Sequence, residues 1–125
     1  MPSQLGQRRL LVIDDEPDTA QTLQSLLELL GCSVQVAYDG ETGLGLAERE
    51  RPGFVICDIS MPGIDGYEVA RRMRADPRHK GVVLVAVTGF GERHHRMRAF
   101  EAGFDHHLTK PIEIATLLNA LKGGR

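Results

Sequence analysis

The chain alternates between two patterns of apolar residues. Short uninterrupted apolar runs are typical of strands buried on both faces, whereas apolar residues three or four positions apart are typical of helices. Five runs of the first kind alternate with five segments of the second. The predicted strands are residues 9–13, 33–38, 54–58, 82–87 and 104–108. The first four predicted helices are residues 17–30, 41–50, 65–76 and 92–102, and the last follows Pro111 and ends at Gly123.

Individual residues predict where the helices begin and end and which of their faces is buried. Pro17 suits the first position of its helix, because a proline there loses no hydrogen bond, and Gly31 suits the end. Gly43 and Gly45 weaken the second helix, each by about 1 kcal/mol relative to alanine. The residues predicted to face inward are Ala20, Leu23, Leu26, Leu27, Leu29 and Leu30 in the first helix, Leu44 and Ala47 in the second, Val69, Ala70 and Met73 in the third, and Ile114, Leu117, Leu118 and Leu121 in the last.

The alternation predicts a doubly wound α/β fold. Strands that are apolar throughout imply a five-stranded parallel sheet with helices on both faces. Right-handed crossovers leave few topologies, and the flavodoxin-like strand order 2-1-3-4-5 is the commonest compact one. Its switch point lies between strands one and three, where open α/β sheets bind ligands at the carboxyl ends of the strands. Asp14, Asp15 and Asp58, which follow or end those strands, are therefore the first candidates for a site.

Length and composition fit one folded domain. The chain has 125 residues, of which 42% are hydrophobic, and a formal net charge of −2. This composition allows a core without a disulfide scaffold, and the charge argues against direct nucleic-acid binding. We expect residues 1–7 to form a flexible lead-in and residues 8–122 the domain. Without a signal peptide or an apolar run of membrane-spanning length, the chain is expected to be cytoplasmic, with no membrane insertion.

Polar residues end four of the five predicted strands. Besides the three aspartates, Thr88 ends the fourth strand and Lys110 follows the fifth. Three carboxylates in one crevice would repel each other unless protons or a cation neutralised them. Oxygen ligands of this kind suit Mg²⁺, with Mn²⁺ as an alternative, and a divalent cation beside an aspartate invites a phosphoryl group. Aspartate can itself form an aspartyl-phosphate, which Thr88 and Lys110 would then face.

Each of these residues also has an ordinary structural explanation. Acidic residues after strands often cap helices or lie in solvated turns, a threonine can simply end a strand, and a lone lysine is usually on the surface. Short motifs recur freely, so no single member of the set identifies a site. Their joint placement at the ends of strands one, three, four and five favours the functional interpretation.

The set resembles the receiver domains of two-component response regulators, across essentially the whole chain. The residues that carry the resemblance are Asp14-Asp15, Asp58, Met61-Pro62-Gly63, Asp65-Gly66, Thr88-Gly89 and Lys110-Pro111. Chemotaxis regulators and the receivers of hybrid sensor kinases are the similar groups. The segment from Phe104 to Pro111 is more similar to the latter.

The resemblance implies a phosphoacceptor with a metal site. Asp58 would take a phosphoryl group from a phosphohistidine of a histidine kinase or a phosphotransfer protein. Asp15, Asp58 and the backbone carbonyl of Ser60 would ligate Mg²⁺, and Asp14 would hold a metal-bound water. The domain would catalyse its own phosphorylation and dephosphorylation without turning over a separate substrate.

The resemblance also implies a switch and two tuning positions. Thr88 would hydrogen-bond a phosphoryl oxygen, and Lys110, aimed by a cis peptide before Pro111, would pair with the acyl phosphate. The family usually has tyrosine or phenylalanine where this chain has His107, so we expect His107 to act as the switch residue, with a solvent-facing ring as the alternative.

The surface around helix four, strand five and helix five would then change. Ser60 and Phe90 occupy the positions at which the family tunes hydrolysis. The large Phe90 predicts slow dephosphorylation, with simple loop packing as the alternative.

Several charged or titratable groups are expected to be structural. Adjacent histidines diverge on a helix and point to opposite faces of a strand, so His94-His95 and His106-His107 make poor metal chelates. The arginines of the third and fourth helices are predicted to form solvated faces or a partner surface: Arg71, Arg72 and Arg74 in the third, and Arg93, Arg96 and Arg98 in the fourth. Cys32 and Cys57 are expected to be small buried apolar residues.

Three other functions compete with the phosphoacceptor. A flavin or nucleotide site would need phosphate-binding residues after strand one, where the acidic run from Asp14 to Glu16 would repel phosphate. An aspartate phosphatase would need a second aspartate at the position of Ser60. A pseudo-receiver that only binds proteins would lack part of the polar set. The cognate kinase, the output, any fused domain and homodimer formation through the fourth helix, fifth strand and fifth helix stay open.

Overall fold

The computed structural model describes residues 8–89 and 93–123, with the side chains of residues 93–95 left out. Its strands are β1 (Arg9–Ile13), β2 (Ser33–Ala37), β3 (Phe54–Asp58), β4 (Val83–Thr88) and β5 (His106–Thr109). Its helices are α1 (Pro17–Leu29), α2 (Gly40–Glu50), α3 (Gly66–Ala75), α4 (Arg93–Ala102) and α5 (Ile114–Gly123). A single 3₁₀ turn, Pro77–His79, follows α3. The predicted lead-in, residues 1–7, lies outside the described residues.

The five strands form one parallel sheet in the order β2-β1-β3-β4-β5, which confirms the predicted topology. Buried side chains form one apolar layer on each face of this sheet. The layer under α2, α3 and α4 includes Ile13, Cys57 and Met73, and the layer under α1 and α5 includes Leu27 and Leu117. Because β3 and β4 lie between both layers, every one of their residues is buried. Because neighbouring strands are parallel, the carboxyl ends of β1, β3 and β4 lie at the same edge of the sheet.

Local signals in the sequence explain several helix ends. Gly31 ends α1 with a φ of 94°, a left-handed conformation that favours glycine. Asp39 caps α2, because its carboxylate accepts a hydrogen bond from the Thr42 N–H at 2.7 Å. Asp65 caps α3 in the same way, accepting from the Glu68 N–H at 2.9 Å. Each cap satisfies a backbone donor that the helix itself leaves unpaired.

Some residues predicted to face inward do not. Leu26 and Leu29 are 40% and 83% exposed, because α1 buries the narrower stripe that contains Leu23 and Leu27. Ile114 is likewise exposed, because it lies at the first position of α5. The apolar periodicity therefore predicted a wider buried face for α1 and α5 than these two surface helices have.

Gly43 is a structural requirement of α2. A Cβ atom at Gly43 would overlap the side chain of Ile13, whereas a Cβ at Gly45 would meet nothing within 4 Å. The helix therefore approaches β1 closely at Gly43. The predicted cost of a helical glycine applies at both positions, but a compensating contact exists only at Gly43.

Arg74 is part of a mostly buried network, which corrects the prediction of a solvated arginine face. Its guanidinium lies 2.6 Å from the Asp105 carboxylate and donates to the backbone carbonyls of Gly103 and Val82, both at 2.9 Å. Asp105 also accepts from the Leu84 N–H at 2.8 Å. The network connects α3 to the starts of β4 and β5.

Strand β5 begins two residues later than predicted. The side chain of Phe104 is buried in the layer under α3 and α4, and Asp105 turns into the Arg74 network. The Asp105 N–H still donates to the Leu84 carbonyl at 2.7 Å, but the first register pair of β4 and β5 is Val85 with His106. Within the part of the chain that the structure describes, no helix is long and apolar enough to cross a membrane.

Candidate functional site

Two aspartates are buried at the carboxyl edge of the sheet. Asp58 is the last residue of β3 and only 5% exposed, and Asp14 follows β1 and is 3% exposed. The Asp14 carboxylate accepts from the Glu16 N–H at 2.9 Å, and the Asp58 carboxylate accepts from the Ser60 N–H at 3.2 Å. Burial raises the pKa of Asp58, and the nearby Asp14 adds to the effect, although Lys110 opposes it. A carboxylate in this position requires a cationic partner.

Lys110 supplies that positive charge. Its ammonium lies 3.1 Å from Asp58, 3.1 Å from Glu16 and 3.5 Å from Asp14. Partial burial opposes the charged form, but the hydrogen bonds to Glu16 and Asp58 outweigh it and raise the pKa of Lys110 above its ordinary value. The lysine follows β5, where its N–H donates to the Thr88 carbonyl at 2.8 Å. The sheet therefore brings Lys110 to Asp58 across 52 residues of chain.

One group of carboxylates among the described residues has the geometry of a metal site. Oxygen atoms of Asp14, Glu16 and Asp58 lie within 4.8 Å of one another. Hard oxygen donors of this kind fit Mg²⁺, which takes one or two carboxylates and retains several waters. Asp15, a predicted ligand, is partly exposed and is not in this group, so its role stays a prediction. Glu16 was missed as a potential ligand, although its place beside Asp14-Asp15 was the available signal.

Thr88 and His107 contact each other directly. The Thr88 hydroxyl, at the end of β4, is 1% exposed, and its oxygen lies 2.9 Å from Nε2 of His107. His107 pairs in register with Ala86, two residues before Thr88, so the two side chains share one face of the sheet. His107 is half-buried and its ring contacts the buried Thr88, so the predicted alternative of a ring directed only to solvent does not fit.

The remaining predicted positions are Ser60, Phe90, the histidine pair 94–95 and the peptide bond before Pro111. Ser60 is exposed beside Asp58, and its assigned roles stay predictions. Phe90 and the side chains of His94 and His95 lie outside the described residues. The peptide bond between Lys110 and Pro111 is cis, as predicted.

The start of α3 lies against the backbone of the site. The Gly66 N–H donates to the Ile59 carbonyl at 2.9 Å, and a Cβ atom at Gly66 would lie 2.6 Å from the Asp58 carbonyl oxygen. Only glycine allows this approach without displacing the backbone. The Asp65-Gly66 pair therefore has two functions: Asp65 caps α3, and Gly66 lets the helix support the segment that follows Asp58.

A groove adjoins the acidic crevice. It has a volume of about 660 Å³ and lies between α1 and the segment that follows β5. Its lining includes Glu16 and Lys110 at the end beside the crevice, and Leu23, Leu26 and Ile112 along its apolar part. Leu26, which is exposed against the prediction, lines this groove. No sequence pattern predicted it, because its walls come from opposite ends of the chain.

Comparison with known proteins agrees with this geometry. The family model of the response regulator receiver domain matches residues 10–122. A curated relative from Leptolyngbya boryana, named the uncharacterized 14.6 kDa protein in the sodA1 3′ region, is 36% identical over 118 residues, which are 94% of this chain and 90% of the relative. Two further curated relatives are longer: the chain spans 46% of the transcriptional regulator RpaA from Synechocystis and 24% of the response regulator PleD from Caulobacter vibrioides, at 34% and 35% identity.

Two solved structures are also similar. The crystal structure of a putative response regulator from Chloroflexus aurantiacus has a TM-score of 0.89 and 33% identity, covering 94% of this chain and 96% of that one. The receiver domain of sensor histidine kinase PA1611 from Pseudomonas aeruginosa, with a magnesium ion coordinated in its active site cleft, has a TM-score of 0.86 and 28% identity, covering 95% and 98%. With its strand order, acidic crevice and matched residues, the chain belongs to the response regulator receiver domain family.

Proposed function

We propose that the domain is a phosphoacceptor switch in which Asp58 takes a phosphoryl group. The observation that carries the proposal is the buried Asp58 carboxylate, held 3.1 Å from the Lys110 ammonium within a group of three acidic side chains. Burying Asp14 and Asp58 beside each other is costly in a purely structural role, because each desolvated charge needs compensation. In a phosphoacceptor the same arrangement supplies a nucleophile, a cation and a metal site.

In the proposed reaction, a phosphoryl group is transferred from a histidine nitrogen of the donor to a carboxylate oxygen of Asp58. A carboxylate oxygen of Asp58 attacks the phosphorus of a phosphohistidine, the new P–O bond forms, and the P–N bond breaks. The electron pair of that bond stays on the donor imidazole, which takes up a proton. The Lys110 ammonium would pair with the negative oxygens, and the Thr88 hydroxyl would donate a hydrogen bond to one of them.

Mg²⁺ is the proposed metal, and it would neutralise the charge that develops on the phosphoryl oxygens. Asp14, Glu16 and Asp58 present the oxygen atoms that suit it. Asp15 and the backbone carbonyl of Ser60 remain proposed ligands from the family resemblance, with Asp14 acting through water. The receiver of PA1611, which contains magnesium in its cleft, supports this choice.

Receiver domains of this kind interact with histidine kinases or phosphotransfer proteins. We propose that such a donor covers the groove beside Lys110, because a phosphohistidine must reach Asp58 from outside the sheet edge. The apolar wall formed by Leu23, Leu26 and Ile112 gives it a surface to bury. The switch would operate in the cytoplasm, where the thiols of Cys32 and Cys57, which form no disulfide, would remain reduced. The proposed output is a change around α4, β5 and α5.

Incubation with acetyl phosphate and Mg²⁺, followed by intact-mass measurement, tests the proposal. We expect a species heavier by about 80 Da, one added HPO₃ group. The species should be absent after metal chelation and in Asp58→Asn, but present in Asp18→Asn, which changes an exposed aspartate of α1. A species that survives Asp58→Asn would place the acceptor elsewhere. No added mass under any of these conditions would favour a pseudo-receiver that acts only by binding proteins.

A further inference from the structure

The contact between Thr88 and His107 restricts where one proton lies. A hydroxyl has a single proton to donate, and a neutral imidazole has one N–H and one lone pair. The 2.9 Å between Thr88 Oγ1 and His107 Nε2 fits a hydrogen bond in either direction. Thr88 donates to Nε2, or Nε2–H donates to Thr88, and only the tautomer of the ring distinguishes the two.

A phosphoryl group on Asp58 would remove this choice. Phosphoryl oxygens are strong hydrogen-bond acceptors, and a dianionic group donates nothing. If Thr88 bonds such an oxygen, it must use its only proton to do so. Its oxygen can then retain the contact with His107 only by accepting from a protonated Nε2.

Pairing of β4 with β5 holds Thr88 and His107 in contact. His107 lies in the β4–β5 ladder opposite Ala86, and the Lys110 N–H bond to the Thr88 carbonyl joins the same two strands at their ends. His107 also borders a surface groove of about 230 Å³ between β5 and α5, with Glu113 and Thr116 on its other wall. His107 therefore lies between the buried Thr88 and the surface proposed to change.

We propose that His107 is a positioning residue that sets the direction of the Thr88 hydroxyl. In the phosphorylated protein, Nε2–H of His107 donates to Thr88 Oγ1, and the Thr88 hydroxyl donates to a phosphoryl oxygen on Asp58. The inference rests on the proposed function, since it needs a phosphoryl group on Asp58. Its content is the location of a proton, which an apolar ring of the same size at this position could not provide.

Nuclear magnetic resonance of protein labelled with ¹⁵N and ¹³C at histidine tests the location directly. Two-bond ¹H–¹⁵N spectra show which ring nitrogen carries a proton, and the spectrum of His107→Gln assigns the signals of His107. Spectra are recorded before and after incubation with acetyl phosphate and Mg²⁺, and the intact mass of each sample is measured. We expect a protonated Nε2 in the sample that is heavier by about 80 Da. An unprotonated Nε2 in that sample would refute the inference alone, whereas a sample without added mass would refute the proposed function as well.

Substitution tests whether the proton matters. His107→Gln keeps an N–H donor close to the position of Nε2, His107→Leu removes it, and His106→Leu removes a neighbouring imidazole that points to the other face of the sheet. We expect His107→Leu to lower the phosphorylated fraction on the order of tenfold, the effect of one hydrogen bond to a charged group. His107→Gln should stay within about threefold of the wild type, and His106→Leu should not differ. Wild-type phosphorylation of His107→Leu, or an equal loss in both His107 variants, would refute the positioning role.

Discussion

Replacing Arg74 with methionine should destabilise the fold more than replacing any exposed arginine. The guanidinium donates to the carboxylate of Asp105 and to the carbonyls of Gly103 and Val82, and the Arg74 and Asp105 side chains are only 18% and 14% exposed. Methionine fills a similar volume but leaves a carboxylate and three carbonyls without this donor, the third being that of His79 at 3.4 Å. Removing one partner of a buried ion pair costs about 3–5 kcal/mol. Because the pair retains some solvent contact, we expect about 3 kcal/mol, near the lower limit of that range.

Urea unfolding followed by circular dichroism measures this loss, and thermal unfolding provides a second readout. At about 4 °C per kcal/mol for a domain of this size, the midpoint should fall by about 12 °C. Arg71→Met is the matched control on the same helix, because Arg71 is exposed and bonds only Glu68 among the described residues, at 3.1 Å. An exposed pair of this kind contributes less than about 1 kcal/mol.

Asp105→Asn separates the charge from the remaining hydrogen bonds. If much of the cost is an uncompensated carboxylate, Arg74→Met should cost about 1–3 kcal/mol less in the Asp105→Asn background than in the wild type. Equal costs in the two backgrounds would show that the ion pair contributes little. A loss in Arg74→Met no larger than that in Arg71→Met would refute the reasoning altogether.

Three further predictions concern stability. Gly45→Ala should stabilise α2 by about 0.5–1 kcal/mol, whereas Gly43→Ala should destabilise by about 1–3 kcal/mol through overlap with Ile13, and equal effects in urea unfolding would contradict this pairing. Tyr67→Phe should be neutral or stabilise by up to about 2 kcal/mol, because the buried hydroxyl has no hydrogen-bond partner among the described residues; a clear loss of stability would indicate a partner. Burial lowers the pKa of His79 in the folded protein, so as the pH falls the imidazole is protonated in the unfolded chain first. The contribution of His79 to the free energy of unfolding is therefore complete above about pH 6.5 and is lost as the pH drops toward the pKa of the folded state. The slope of the unfolding free energy in urea against pH should be smaller in His79→Gln.

The sequence by itself determined the order of the elements and the positions of the main polar residues. Fully apolar runs such as the one that ends at Asp58 have few alternatives to a strand covered on both faces. This pattern and crossover handedness left few sheet orders, and the commonest of them is the observed one. Chain order then placed Thr88 and Lys110 at the same edge, because parallel strands all end on one side.

Tertiary structure decided the features that depend on distance across the sheet. Arg74 looked like its exposed neighbour Arg71, and only the approach of β4 and β5 gives it buried acceptors. Gly43 looked like Gly45, and only the packing of α2 on β1 distinguishes them. The bond between Thr88 and His107 joins residues 19 positions apart, whose register no local pattern encodes. The apolar pattern of a segment indicates which face of the helix or strand is buried. The side chains that a residue contacts on that face belong to elements remote in the chain, so the local sequence does not determine them.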